Sequence, residues 1–268
     1  MFQTTFYGLS TFFIAVIVLN ISLIISLGSK DSSSRLFALA SFFHFLWLFS
    51  IGLSYSLIDP DLVAFALRNV YFVGLVIPFI LFFFSLSYLE DHVFTQRTRN
   101  IMVFGILAMF LFVYAKDILS LLGAPFNTFL KEQTVITVSK ITEDGYLGWN
   151  FGFLSLLWAI LFYGFGFSFV AKLYQKYAVQ TDEVLRKQAL FMFLAMVIAM
   201  IPAFLFNTTF PFMGIFSFFW YGVLSSICWV SIVGYSIVKQ GTMNVNTVTA
   251  ELLVFAMILL MFVGFFVI

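Results

Sequence analysis

Runs of about 20 apolar residues, each long enough to carry a helix across the hydrocarbon of a bilayer, recur through most of this chain. Eight can be drawn: Phe6–Leu27, Leu36–Ile58, Val70–Leu89, Ile101–Leu122, Trp149–Ala171, Ala189–Phe206, Phe212–Val238 and Glu251–Ile268. They are apolar all round rather than striped, as expected of helices that meet lipid on one side and other helices on the other. In hydrocarbon every backbone N–H and C=O must find a partner inside the protein, which leaves helices or a closed barrel. The runs lack the two-residue alternation of barrel strands, so the predicted fold is an all-α integral membrane protein. Seven helices form a transmembrane bundle, and an eighth transmembrane helix follows.

Composition agrees. Charged residues make up 9% of the chain against about 25% in soluble domains, too few to cover a surface facing water. The lipid bilayer is therefore the expected partner. The formal net charge of +1 offers no basic stripe for nucleic acid. Cys228 is the only cysteine, so no internal disulfide can form, and it reads as a small buried hydrophobe. The first residues, MFQTTFYGLSTFF, lack the basic start of a signal peptide, and the run after them is too long for one. A retained first helix is expected.

Basic residues mark the cytoplasmic loops of membrane proteins. Odd-numbered connections carry Lys30, Arg35, Arg97, Arg99, Lys172, Lys176, Arg186, Lys187 and Lys239, whereas even-numbered ones carry Arg68, Lys116, Lys131 and Lys140. The bias predicts an N-terminus outside a plasma membrane that the chain crosses many times. The fifth connection, read as Lys172–Gln188, is the most charged stretch. The fourth is the longest. Gly123-Ala124-Pro125 ends a helix there, Thr134–Val138 is β-branched, and Glu143–Tyr146 reads as a turn. A short extracellular β-hairpin-like loop between helices 4 and 5 is predicted, serving as a plain cap over the bundle or as part of a sensing surface.

Chemistry is sparse. There is no H-E-x-x-H, no G-x-S-x-G and no P-loop, and the seventh run holds no lysine before Lys239. No catalytic, cofactor-binding or metal-binding set is expected. Ionisable residues deep in membrane helices are functional candidates by default, and His44 is the clearest. Its simpler reading is a hydrogen-bonded structural histidine, its sharper one a pH or ligand contact. Arg68 and Asn69 are expected to open the third helix, with Lys116 and Asp117 as a charge pair near the end of the fourth and Asn150 at the start of the fifth. A polar ligand arriving from outside would meet these six. Asn20 and Asn207 read as interhelical packing residues. Pro78 and Pro202 are expected to kink the third and sixth helices and open a cavity between them. Gly148 and Gly152 form a G-x-x-x-G, a spacing suited to close helix contact.

At Leu185-Arg186-Lys187-Gln188-Ala189-Leu190, leading into a helix that contains Pro202, the chain resembles the N-terminal seven-helix membrane region of bacterial sensor histidine kinases. Tyr146-Leu147-Gly148-Trp149, Tyr174-Gln175-Lys176-Tyr177 and Gly234-Tyr235-Ser236-Ile237-Val238-Lys239 with Met243-Asn244-Val245 fit the same pattern. Asn244 stands where that stretch commonly has an aspartate. The resemblance implies a sensory input module of a two-component-like receptor, with Arg186, Gln188, Pro202 and Lys239 on the path that relays a signal inward. It also implies a possible homodimer and a downstream cytoplasmic signalling domain. No kinase motif lies in these residues, so the chain is expected to be no enzyme. Residues 1–239 form the sensor-type domain. Residues 240–268 form a cytoplasmic loop and the additional helix, expected to lead to a further region or to end a stand-alone membrane protein. The alternative is a small-molecule transporter or permease, for which His44, Asn20 and a few hydroxyls would supply the polar path.

Overall fold

A computed structural model describes residues 5–28, 31–89, 95–121, 136–141, 147–151, 154–215 and 218–226, with side chains at all of these except Lys116, 119–121 and the two strands. Six helices among them are long and apolar enough to cross a membrane. They are α1 (Phe6–Gly28), α2 (Ser32–Ser56), α3 (Pro60–Ser87), α4 (Gln96–Leu121), α5 (Leu154–Val179) and α6 (Glu183–Phe204). The last runs on through one π-turn, Leu205–Thr209, into Phe210–Phe212. Residues 219–226 form a further helical piece, α7, inside the predicted seventh run. The eighth run, Lys239 and the seventh connection lie outside the described residues.

Aspartates start three of the helices. Asp31 accepts from the Ser34 N–H at 2.8 Å, Asp59 from Asp61 and Leu62, and Asp182 from Val184 and Leu185, both at 2.9 Å. Each satisfies amide groups that a helix start would otherwise leave bare. Pro60 follows Asp59 in the first turn, where its missing N–H costs nothing. At its other end α3 stops at Tyr88, and Leu89 takes a left-handed φ of 59°, a conformation that usually closes a helix with glycine.

The connections differ from those expected. α5 continues through Lys172 and Lys176 to Val179, and α6 starts at Glu183. The basic segment Lys172–Gln188 is thus two helix ends around a three-residue link. Polar side chains continue a helix past the bilayer edge as readily as they end it, so composition misplaces the boundary. Arg68 and Asn69 lie more than two turns inside α3, because Asp59-Pro60 supplies the start signal. Trp149 and Gly148 lie in a strand, which removes the G-x-x-x-G from any helix. That strand, β2 (Leu147–Phe151), pairs antiparallel with β1 (Ile136–Ile141), and the register slips between Val138 and Lys140. Residues 142–146 between them lie outside the described residues. β1 packs against α3.

α3 is the axis of the bundle. In its most apolar stretch 78% of residues are buried, against 22% for α4 and for α5. It packs on α2, α4 and α5. Paired contacts give the directions. Thr5 with Tyr55 and Ser22 with Ala38 make α1 and α2 antiparallel. Tyr71 with Trp158 and Leu86 with Lys176 make α3 and α5 parallel. Tyr163 with Thr209 makes α5 and α6 antiparallel. Val103, Phe104 and Leu107 on α4 and Leu156, Ile160 and Phe167 on α5 point outward and exposed. In water this would be an aggregating surface, whereas in a bilayer it is the face that lipid solvates.

Close approach of α5 and α6 depends on Gly166. A Cβ there would stand 2.6 Å from Phe204 and 2.8 Å from Met200, while one on Gly164 would meet nothing within 4 Å. Gly166→Leu should lower stability by about 1–3 kcal/mol through overpacking, read as an earlier thermal unfolding midpoint in detergent. Gly164→Ala should leave that midpoint unchanged or raise it.

Candidate functional site

Prolines inside helices withdraw the N–H that would serve the carbonyl four residues earlier and crowd that carbonyl with their ring. Besides Pro60 in the first turn of α3, three lie in the described helices: Pro78 in α3, Pro202 in α6 and Pro211 just past the π-turn. At Pro211 the carbonyl concerned is that of Asn207, within the wider turn. The Thr209 hydroxyl donates to Phe204 O at 3.0 Å and contacts the Tyr163 hydroxyl at 2.8 Å, so side chains serve part of the disturbed backbone. π-turns of this kind are frequent at functional sites.

Beside this turn a cavity of about 110 Å³ opens among α2, α3, α5, α6 and α7. Pro78 and Gly74 line it from α3, Met196, Met200, Phe204 and Asn207 from the α6 arm, and Gly222, Ser225 and Ser226 from α7. Its aromatic wall is held in place. Trp158 donates its indole N–H to Tyr71 O at 2.8 Å, which fixes α5 on α3. It stacks on Phe162 with ring centres 4.8 Å apart, and Phe162 meets Phe204 edge-on at 4.9 Å. Across the cavity Trp47 lies edge-on to His44.

Tyr71, Thr208, Ser225 and Ser226 add hydroxyls to this wall, and two further polar residues stand out. His44 Nε2 lies 2.8 Å from the Ser226 hydroxyl and so ties α2 to α7. Asn207 is 8% exposed, and neither its amide oxygen nor its amide nitrogen has a hydrogen-bond partner. Its side chain lies against Gly222, where any Cβ would overlap it. Among the described residues, no Asp, Glu, Lys or Arg lines the cavity. A buried amide without partners costs on the order of 1–3 kcal/mol, so Asn207 stands out as a polar group waiting for a partner.

Of the six residues expected to meet a ligand, the four whose side chains are described fall in two places. His44 is at the central cavity. Arg68 and Asn69 are brought together with α4: Arg68 Nε lies 3.4 Å from Asp117 Oδ2, and the Tyr114 hydroxyl donates to Asn69 Oδ1 at 2.6 Å. This cluster staples α3 to α4. Asp117 therefore pairs with Arg68 across helices. The side chains of Lys116 and Asn150 lie outside the described residues, and the Asn150 backbone pairs with Thr137.

Of the relay residues, Arg186 lies over the Tyr177 ring at 5.9 Å, across the α5–α6 link. Gln188 is buried, and its carbonyl lies 3.5 Å from the Tyr88 hydroxyl at the end of α3. Lys176 donates to Leu86 O at 3.0 Å and also to Tyr88 O, placing a cation on the carbonyl end of α3. Tyr71, Trp158, Phe204, Gly222 and Ser226 went unremarked in the sequence. The one signal near them was the spacing of Pro202 and Pro211 around Asn207.

Such a bundle, with lipid-facing helices, a buried axial helix and an apolar-walled cavity at its centre, is that of a multi-pass membrane protein. Residues 10–245 match the family model described as the N-terminal 7TM region of histidine kinase. The chain belongs to that family, as the residues around Arg186 and Gln188 suggested. No curated protein and no solved structure matches the chain significantly.

Two couplings follow. A double-mutant cycle of His44→Leu with Ser226→Ala should give about 0.5–1.5 kcal/mol, the net worth of one hydrogen bond. The half-exposed pair Arg68→Met with Asp117→Ala should give about 0.2–1 kcal/mol. Both are read from unfolding in detergent, and zero coupling in the first would detach α2 from α7.

Proposed function

We propose that the chain is the membrane sensory input module of a two-component-like receptor. The match of residues 10–245 to the 7TM region of histidine kinases carries this reading. The module does no chemistry itself, and its output passes to a downstream cytoplasmic signalling domain or partner. Its N-terminus lies outside a plasma membrane, and the ends of α5 and α6 around Gln180–Asp182 lie inside. Residues 1–239 form the sensor-type bundle and 240–268 the segment after it, with β1 and β2 on the outer side. Two copies form the signalling unit.

A change in the bundle would travel through helix packing. Ligands move such an equilibrium only by binding its two states differently, and packed helices shift between discrete arrangements. The inner ends of α3, α5 and α6 are joined by Lys176, Tyr88, Gln188 and Arg186. A displacement of α6 at Pro202 and its π-turn therefore reaches the α5–α6 link. From there it passes with α7 toward Lys239.

The test is a fusion of this chain, through residue 245, to the catalytic part of a characterised sensor kinase. Pro202→Ala and Arg186→Ala should each change basal phosphotransfer by about fivefold or more, the usual scale of coupling between sites. Val103→Ala, on the outward face of α4, should not. Output indifferent to every relay variant would sink the relay, and solute accumulation in vesicles carrying the chain would instead favour a permease.

A further inference from the structure

The central cavity has a composition that selects a chemical class of occupant. Its wall is aromatic and aliphatic: Trp47, Trp158, Phe162, Phe204, Met196 and Met200. With no Asp, Glu, Lys or Arg among the described residues of the lining, an ionised ligand would enter without a counter-charge, at a large desolvation cost. Apolar cavities of about 150 Å³ hold a molecule the size of benzene, so about 110 Å³ sets a single ring or a short branched chain as the upper limit. Asn207 supplies the selectivity. Its amide offers one acceptor and one donor group, both buried and without partner. The π-turn and the bare backbone of Gly222 hold it at the cavity.

We propose that this cavity is a binding site for a small, uncharged, mainly apolar molecule bearing one group that both donates and accepts hydrogen bonds. A hydroxyl or a carboxamide is such a group, and Asn207 is its polar partner. The ligand fills the space between α3 and the α6 arm, and its polar group completes the amide of Asn207 in place of water. This names the ligand of the sensory module and rests on that reading for its effect on signalling. Binding itself can be measured without it.

The full chain in lipid nanodiscs is titrated with 4-fluorophenol, fluorobenzene and 4-fluorobenzoate, followed by fluorine NMR against empty nanodiscs, which account for partition into lipid. The expected result is saturable binding of 4-fluorophenol, weaker binding of fluorobenzene and none of 4-fluorobenzoate. Asn207→Leu keeps the branched outline of the side chain, with somewhat bulkier methyl groups, and removes its unsatisfied amide, so folding should survive. It should weaken 4-fluorophenol at least tenfold while leaving fluorobenzene within twofold. No saturable 4-fluorophenol signal, equal binding of the benzoate, or unchanged affinity in Asn207→Leu would each overturn the assignment. A chain that binds 4-fluorophenol in this pattern while its kinase fusion ignores Pro202→Ala and Arg186→Ala would keep the site and lose the sensory reading. A fusion that responds to those variants in a protein that binds no probe would do the reverse.

Discussion

In hydrocarbon a peptide group has no water to turn to, and that scarcity of partners shapes every part of this bundle. The long runs become helices because a helix satisfies its own backbone. The exceptions then carry the most information. Pro78, Pro202 and Pro211 each take away a donor, and the structure around them is no longer regular. The α6 arm widens into a π-turn, Thr209 turns its hydroxyl onto Phe204 O, and the space beside Pro78 stays unfilled. The same shortage makes Asn207 conspicuous, since an amide without partners is rare in any folded interior.

α3 connects these exceptions to the rest of the molecule. It is buried for most of its length, and polar ties hold it at two levels. Two turns in from its start, Arg68 and Asn69 meet Asp117 and Tyr114 of α4. At its far end, Lys176 sits on its last carbonyls and Tyr88 reaches Gln188 of α6. Between them Trp158 holds α5 through the Tyr71 carbonyl. The cavity opens on the stretch of α3 from Val70 to Leu81, between these ties. A change of shape in the cavity thus acts on a stretch that is anchored on both sides.

Membrane helices were legible in the sequence because twenty apolar residues have few other uses, and so was the family, through the polar residues at helix ends. Those ends themselves were less legible. Lys172–Gln188 is rich in charge, yet Lys, Gln and Glu are good helix formers, and only the Asp182 cap shows where α6 starts. The pairing of Asp117 with Arg68 was not readable, because nothing local named a residue on another helix. The cavity was half readable, from Pro78 and Pro202. Gly222 and Ser226 were silent, because their roles arise only when α7 lies against α6 and α2. Asn207 read as one more packing amide until its lack of partners became visible.

The π-turn has one more consequence, which concerns angular phase. A turn closed from residue i to i+5 holds one residue more than an α-turn, and each residue of a helix advances about 100° around the axis. The faces of α6 before Leu205 and after Thr209 are therefore out of step by that amount. Met196 and Met200 belong to one face-count, Pro211 and Phe212 to another. If the extra residue moved along the helix, the segment it passed would rotate by the same angle while both ends stayed in place. The arm beside the cavity can thus turn while it advances by about 1.5 Å, the rise of one residue.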